Sequence, residues 1–225
     1  MAILSSSAVK NSRCAWYEVE YRADSVKPAP EEAILARFRY RQHCEVVLER
    51  PEAITVRQWV ETVVIGLNLC PFAKRELVND RVRFSVTDAT TEEALLMAQE
   101  AELELLERYP GVETTLLIHP QVLQDFFDYN QFLEYADALL VQMNLEGIYQ
   151  IAGFHPQYQF AGTAPEDVEN YTNRSPYPLL HIIREDSLEK AIASHPDPNA
   201  IPTRNIELMK SMGLEKLRTL LLGCS

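Results

Sequence analysis

From Ile54 onward the apolar residues Val56, Trp59, Val60, Val63, Val64 and Leu67 return at helical spacing, which predicts an amphipathic helix over residues 52 to 69. It ends at Cys70-Pro71, and Pro51 stands at its start, where proline is tolerated. The period then changes. Residues 81 to 87, RVRFSVT, alternate with Val82, Phe84 and Val86 on one side, as a strand does. Thr90 and Glu93 read as a capping box ahead of a Leu- and Glu-rich helix that stops at Pro110-Gly111. The unit comes again: 114 to 118 is a short apolar strand ending at His119-Pro120, and 122 to 144 is a long helix closed by Gly147. Residues 148 to 154 give a third strand, and 179 to 183 a fourth strand or buried apolar segment. Asp186 with Glu189 reads as another capping box, and Pro202 and Gly213 bracket a further helix.

Helices alternating with short strands predict an α/β domain, with α+β as the alternative: a small sheet of about four strands flanked by helices. The first fifty residues differ. They hold Lys27-Pro28-Ala29-Pro30 and a basic helical stretch over about 31 to 49, and read as a helical N-terminal extension (1–50) before a single domain at 51–225.

Composition narrows the class. A chain of 225 residues with 47% hydrophobic content has enough apolar material for a sizeable core. No apolar run reaches the roughly 20 residues of a spanning helix, so a soluble protein is expected. The net charge is −12 and unevenly placed: residues 1 to 50 carry 8 basic and 7 acidic groups, the remainder 13 and 26. Such a body repels phosphate backbones and anionic membranes, which argues against nucleic-acid or membrane partners. Four cysteines without CxxC spacing suit a reducing, cytoplasmic setting, a transit peptide at the serine-rich start being the alternative.

The candidate chemistry clusters in two places. Cys70, with Lys74 and Arg75 nearby, is either a nucleophile or metal ligand near a helix start, or a buried structural cysteine. His119 and His155 each follow the C-terminal end of a predicted strand, where open α/β sheets expose their ligand crevice. Each is a base or metal ligand, or a hydrogen-bonded turn histidine; His119 has a capping role as a further option, so His155 ranks first. A polar, proline-studded loop from Gly153 to His181 then supplies Tyr158, Asn173 and Arg174. Loops this long without regular structure are uncommon unless functional or disordered. Arg174 suits a substrate carboxylate, or else pairs with Glu166, Asp167 or Glu169. His181 sits in an apolar run, where a satisfied core histidine is the plain reading. HExxH, GxSxG, GxGxxG and Walker patterns are missing from the chain, which disfavours nucleotide chemistry.

Leu69-Cys70-Pro71-Phe72-Ala73, the run from Gly153 to Phe160, the run from Asp167 to Pro178, and His181, Arg184 and Glu185 closely resemble a bacterial family, domain of unknown function 1415, over roughly 51 to 213. That resemblance implies no mechanism. The order Cys70-Pro71, His155-Pro156, His181 is also similar, more faintly, to YqcI/YcgG-type haem-dependent N-hydroxylases, which implies haem or non-haem iron on His155 and His181.

Two function classes follow. One is an enzyme acting on a small polar or anionic molecule, with His155, Tyr158 and Cys70 catalytic and Arg174, Asn173, Lys74 and His119 binding substrate. The other is a non-catalytic binding or assembly module presenting the loop's aromatic rings, Tyr158, Phe160, Tyr171 and Tyr177.

Overall fold

The structure is a computed structural model and describes residues 50–224; the expected N-terminal extension lies outside the described residues. Helix α1 (Pro51–Trp59) runs directly into a π-helical turn (Val60–Ile65), so the single predicted helix is two. The bulge keeps the apolar side inward, with Trp59, Val60 and Val63 all buried, and for that reason the sequence pattern does not reveal it. Gly66 closes the turn because a β-carbon there would collide with the Thr62 carbonyl oxygen. A short helix that the pattern does not announce, α2 (Ala73–Val78), leads into β1 (Val82–Val86).

α3 (Glu92–Arg108) follows, then β2 (Thr114–Ile118), α4 (Phe126–Gln142) and β3 (Tyr149–Phe154). A 3₁₀ turn (Val168–Thr172) lies in the long loop before β4 (Leu179–Arg184). Three helices finish the described chain: α5 (Glu185–Ser194), α6 (Ala200–Met212) and α7 (Leu214–Leu222). The fold is α/β, as the alternation predicts.

Several boundaries differ from the sequence reading, each for a local reason. The cap of α3 is Thr91, whose side chain accepts from Ala94 N, one residue later than Thr90. α4 starts four residues late, because Asp125 accepts from Phe127 N and Asp128 N and Leu123 takes φ +57°, outside helical geometry. Its left-handed terminator is Asn144 (φ +59°), ahead of Gly147. α5 has no side-chain cap at Asp186; it begins at Glu185, straight off β4.

The sheet order is β1-β2-β4-β3, with β1 parallel to β2 and β4 antiparallel to both its neighbours. β1, β2 and β3 therefore point the same way, and their C-terminal ends share an edge with the start of β4. Alternation divides the core. Phe84, Leu116, Ile118 and Leu179 pack under α1, the π turn, α6 and α7; Leu117, Leu180 and Ile151 pack under α3 and α4. On the second face β1 offers Arg83 and Ser85 in place of apolar residues, and both bond the buried Glu102 of α3.

Candidate functional site

The two strand-end histidines sit as expected, one residue past β2 and β3. His119 N bonds Pro178 O and His155 N bonds Asn173 O, so the long loop is stitched to both strand ends. Both side chains are buried, His119 at 0% and His155 at 1% exposure. They flank the ring of Tyr129 from α4, whose centroid lies 5.7 Å from that of His119, nearly parallel, and 5.1 Å from that of His155. The Tyr129 hydroxyl accepts from Phe154 N (2.9 Å) and donates to Leu179 O (2.8 Å), fastening β3 to β4 at this edge.

The two imidazoles differ in what they have left to offer. His155 Nδ1 accepts from Gln157 N at 3.0 Å, which leaves Nε2–H to donate to Leu123 O at 3.2 Å; both nitrogens are spent on backbone. His119 Nδ1–H donates to Val122 O at 3.0 Å, and its buried Nε2 has no partner among the described residues. The first-ranked histidine is thus the hydrogen-bonded turn residue, and the second-ranked one holds a lone pair in reserve. Burial pushes the His119 pKa down to about 4, with the His155 charge adding to the effect, and burial lowers that of His155 as well.

Tyr158 packs its ring on Phe126 (5.1 Å) and Phe160 (5.0 Å), and burial raises its pKa. Asn173 Nδ2 donates to Gly153 O, holding the loop's two ends together. Arg174 goes the other way. Its guanidinium stacks 4.4 Å over the Tyr171 ring, and its Nε and Nη2 donate to Tyr158 O and Pro165 O. His155 lies with Phe126 and Tyr129 under α4, whereas Tyr171 belongs to the core beneath α6 and α7, and no bond or ring contact joins the His155 and Arg174 side chains among the described residues.

His181 is on the opposite face of the sheet from His155. It pairs with Ala152 across β3 and its ring meets Phe154, while Gly153 and His155 turn toward Tyr129. The two histidines expected to hold one iron are therefore separated by the sheet. His181 Nε2–H donates to Thr114 Oγ1 at 2.7 Å, whose own hydroxyl donates to Ile182 O, in keeping with the satisfied core reading. Among the described residues no three His, Cys, Asp or Glu side chains gather as a metal site.

Cys70 is a free, partly buried thiol in the bend before α2, and Lys74 is exposed. The segment is tied to α6, since Arg204 and Asn205 donate to Asn68 O and Leu69 O, and Phe72 meets the His195 ring. No bond or ring contact joins Cys70 to either strand-end histidine among the described residues.

The family model described as "Protein of unknown function (DUF1415)" matches residues 52–219. The chain belongs to the DUF1415 family. No curated protein and no solved structure matches it, so the motif order shared with the haem-dependent N-hydroxylases stands on that order alone.

In this DUF1415 protein two residues matter beyond what the sequence assigns them: Trp59, read as part of an apolar helix face, and Asn170, a loop asparagine suited to bonding turn backbone. Asn170, fully buried, accepts from Phe160 N and Thr163 Oγ1 through Oδ1 and donates to Ala164 O through Nδ2. Trp59, 2% exposed, has a buried Nε1–H without an acceptor. Periodicity places Trp59 in the core but says nothing of its orphaned donor, and no spacing rule marks Asn170.

Proposed function

We propose that the protein takes up a small anionic molecule, a carboxylate with an apolar body, at a site built from the long loop and anchored by Arg174. One observation carries this reading: a guanidinium with no carboxylate partner among the described residues lines an apolar cavity of about 10 Å³, which must widen to admit more than one water-sized group. The wall is apolar, from Val63, Met209, Leu217, Leu220 and Leu221, and Trp59 and Tyr171 complete it. The carboxylates nearest Arg174 in sequence are engaged elsewhere. Glu166 pairs with Arg218, Glu169 with Lys210, and Asp167 Oδ2 accepts from Ala164 N. The Arg174 charge is thereby left to an outside anion, and a bidentate carboxylate is its natural complement. The π-helical turn beside Trp59 adds weight, since such bulges often accompany functional sites.

We prefer this to the assembly-module reading because Tyr171 is buried in one core with Tyr177 packed on it, and Tyr158 packs on the other, although Phe160 belongs to neither. We place the protein in a reducing compartment, in keeping with the free thiols Cys70 and Cys224. Among the described residues no helix is long and apolar enough to cross a membrane.

The test is thermal stabilisation of the full chain by acetate, hexanoate and benzoate. Apolar carboxylates at millimolar concentration should raise Tm more than acetate, Arg174→Lys should weaken the shift, and Arg174→Gln should abolish it. Equal shifts in wild type and Arg174→Gln, or none for any carboxylate, would reject the reading.

A further inference from the structure

The segment between β2 and α4, residues 119–125, is held in a way its sequence does not require. Leu123 adopts φ +57°, a left-handed conformation that costs a branched, bulky residue energy where glycine or asparagine would be at ease. Its neighbours receive two unusual fastenings. The Val122 carbonyl accepts from His119 Nδ1–H and the Leu123 carbonyl from His155 Nε2–H, so consecutive carbonyls are gripped by two imidazoles that come from different strand ends. Gln124 Nε2 adds a third bond, to Val122 O. Val122 O keeps a donor in Gln124 if the His119 grip is lost, whereas losing the His155 grip takes the imidazole donor from Leu123 O at the strained residue itself.

Of the pair's imidazole nitrogens, one is unspent among the described residues. His119 Nε2 is buried and without a partner, and the bond from Nδ1–H fixes the tautomer so that Nε2 carries the lone pair. The Tyr129 ring stacks almost parallel to the His119 ring, at 18°, so its π face covers the imidazole face and leaves the in-plane lone pair clear. A lone pair among ring faces suits a neutral hydrogen-bond donor such as an alcohol or an amide.

We propose that residues 120–124 form a hinged strap over a second site, in which His119 Nε2 accepts a hydrogen bond from a small neutral donor. While the strap is shut, burial holds the His119 pKa at about 4 and the ring is a poor base; opening admits water and returns it toward 6.5. His155 is the positioning residue, since it touches the strap and not the donor. This site stands apart from the Arg174 cavity, and neither proposal depends on the other.

The experiment is the rate of His119 modification by diethyl pyrocarbonate at pH 7, read by mass spectrometry, with His195 as the internal reference. The reagent forms a bond between an unprotonated imidazole nitrogen and an ethoxycarbonyl group, so it reports access to the Nε2 lone pair. In wild type, His119 should react slowly, and low urea should hardly change the rate, as for a local opening. His155→Asn keeps an acceptor for Gln157 N, as asparagine does in a turn, but does not reach Leu123 O. It should speed His119 modification about tenfold at unchanged His195 rate, the loss of roughly one hydrogen bond from the shut state. A wild-type rate that follows urea as steeply as global unfolding would overturn the strap, whatever becomes of the variant. So would an unchanged rate in a folded His155→Asn protein.

Discussion

The Tyr129 hydroxyl lies 2.8 Å from where a β-carbon on Gly153 would stand. The glycine is there because the phenol must pass close to β3 to reach Phe154 N and Leu179 O. Gly153→Ala should therefore cost about 1–3 kcal/mol through overpacking. Tyr129→Phe should cost a similar 1–3 kcal/mol by leaving two buried backbone groups unpaired. The double variant should lose less than the sum, because without the hydroxyl the methyl has room; urea denaturation of the four proteins measures the coupling.

Asn170 sets a second expectation. Replacing it with alanine removes three side-chain bonds from the interior of the loop, which should cost about 2–4 kcal/mol and open residues 158–167 to protease. Asn170→Asp should be worse, since it keeps the acceptor but loses the donor and buries a charge. Limited proteolysis with mapping of the first cut distinguishes a loosened loop from general unfolding.

The buried Arg83–Glu102 pair, at 8% and 9% side-chain exposure, should behave asymmetrically. Arg83→Met leaves the Glu102 carboxylate buried with only the Ser85 hydroxyl, at a cost of about 3–5 kcal/mol. Arg83→Met with Glu102→Leu should recover much of that, because two apolar side chains need no solvation. Thermal melts of wild type, single and double variants decide it.

Acid should weaken the fold before its carboxylates titrate fully. The folded pKa of His119, about 4, lies below the ordinary 6.5 of the unfolded chain, so the unfolded state takes up a proton the folded state refuses. The stabilisation is complete above pH 6.5 and is lost as pH falls toward 4, by on the order of 3 kcal/mol in all. His181 shifts the same way, also to about 4, but its ring is only partly buried by surface area and its share is smaller. Stability measured by urea between pH 7 and pH 5 should fall more steeply in wild type than in His119→Gln.

The elements that read well from the sequence are those whose period decides burial directly. Val82, Phe84 and Val86 alternate and share the face under α1, and the run from Thr114 to Ile118 is buried throughout, as a central strand must be. The failures come where apolar residues are buried by something other than a regular element. Val122 and Leu123 fit the helical period of α4, yet they reach the core from a turn. At the site, position was legible and bookkeeping was not. His119 and His155 both stand at strand ends, but which imidazole is spent depends on Gln157 N, Val122 O and Leu123 O, atoms that every sequence contains. Arg174 has acidic neighbours in sequence, but Lys210 and Arg218 arrive from helices about 40 residues away to claim two of them.

The strand order carries a consequence for assembly. Among the described residues β3 has no sheet partner except β4, and β4 lies between it and β2. Until residues 179–184 leave the ribosome, β3 has no ladder to join, and β1 with β2 is a bare two-stranded ribbon, marginal alone. The strand that completes the middle of the sheet is the last of the four described strands to be synthesised. The protein should therefore gain its structure in one late step during translation, with the loop ordered as β4 slides into place.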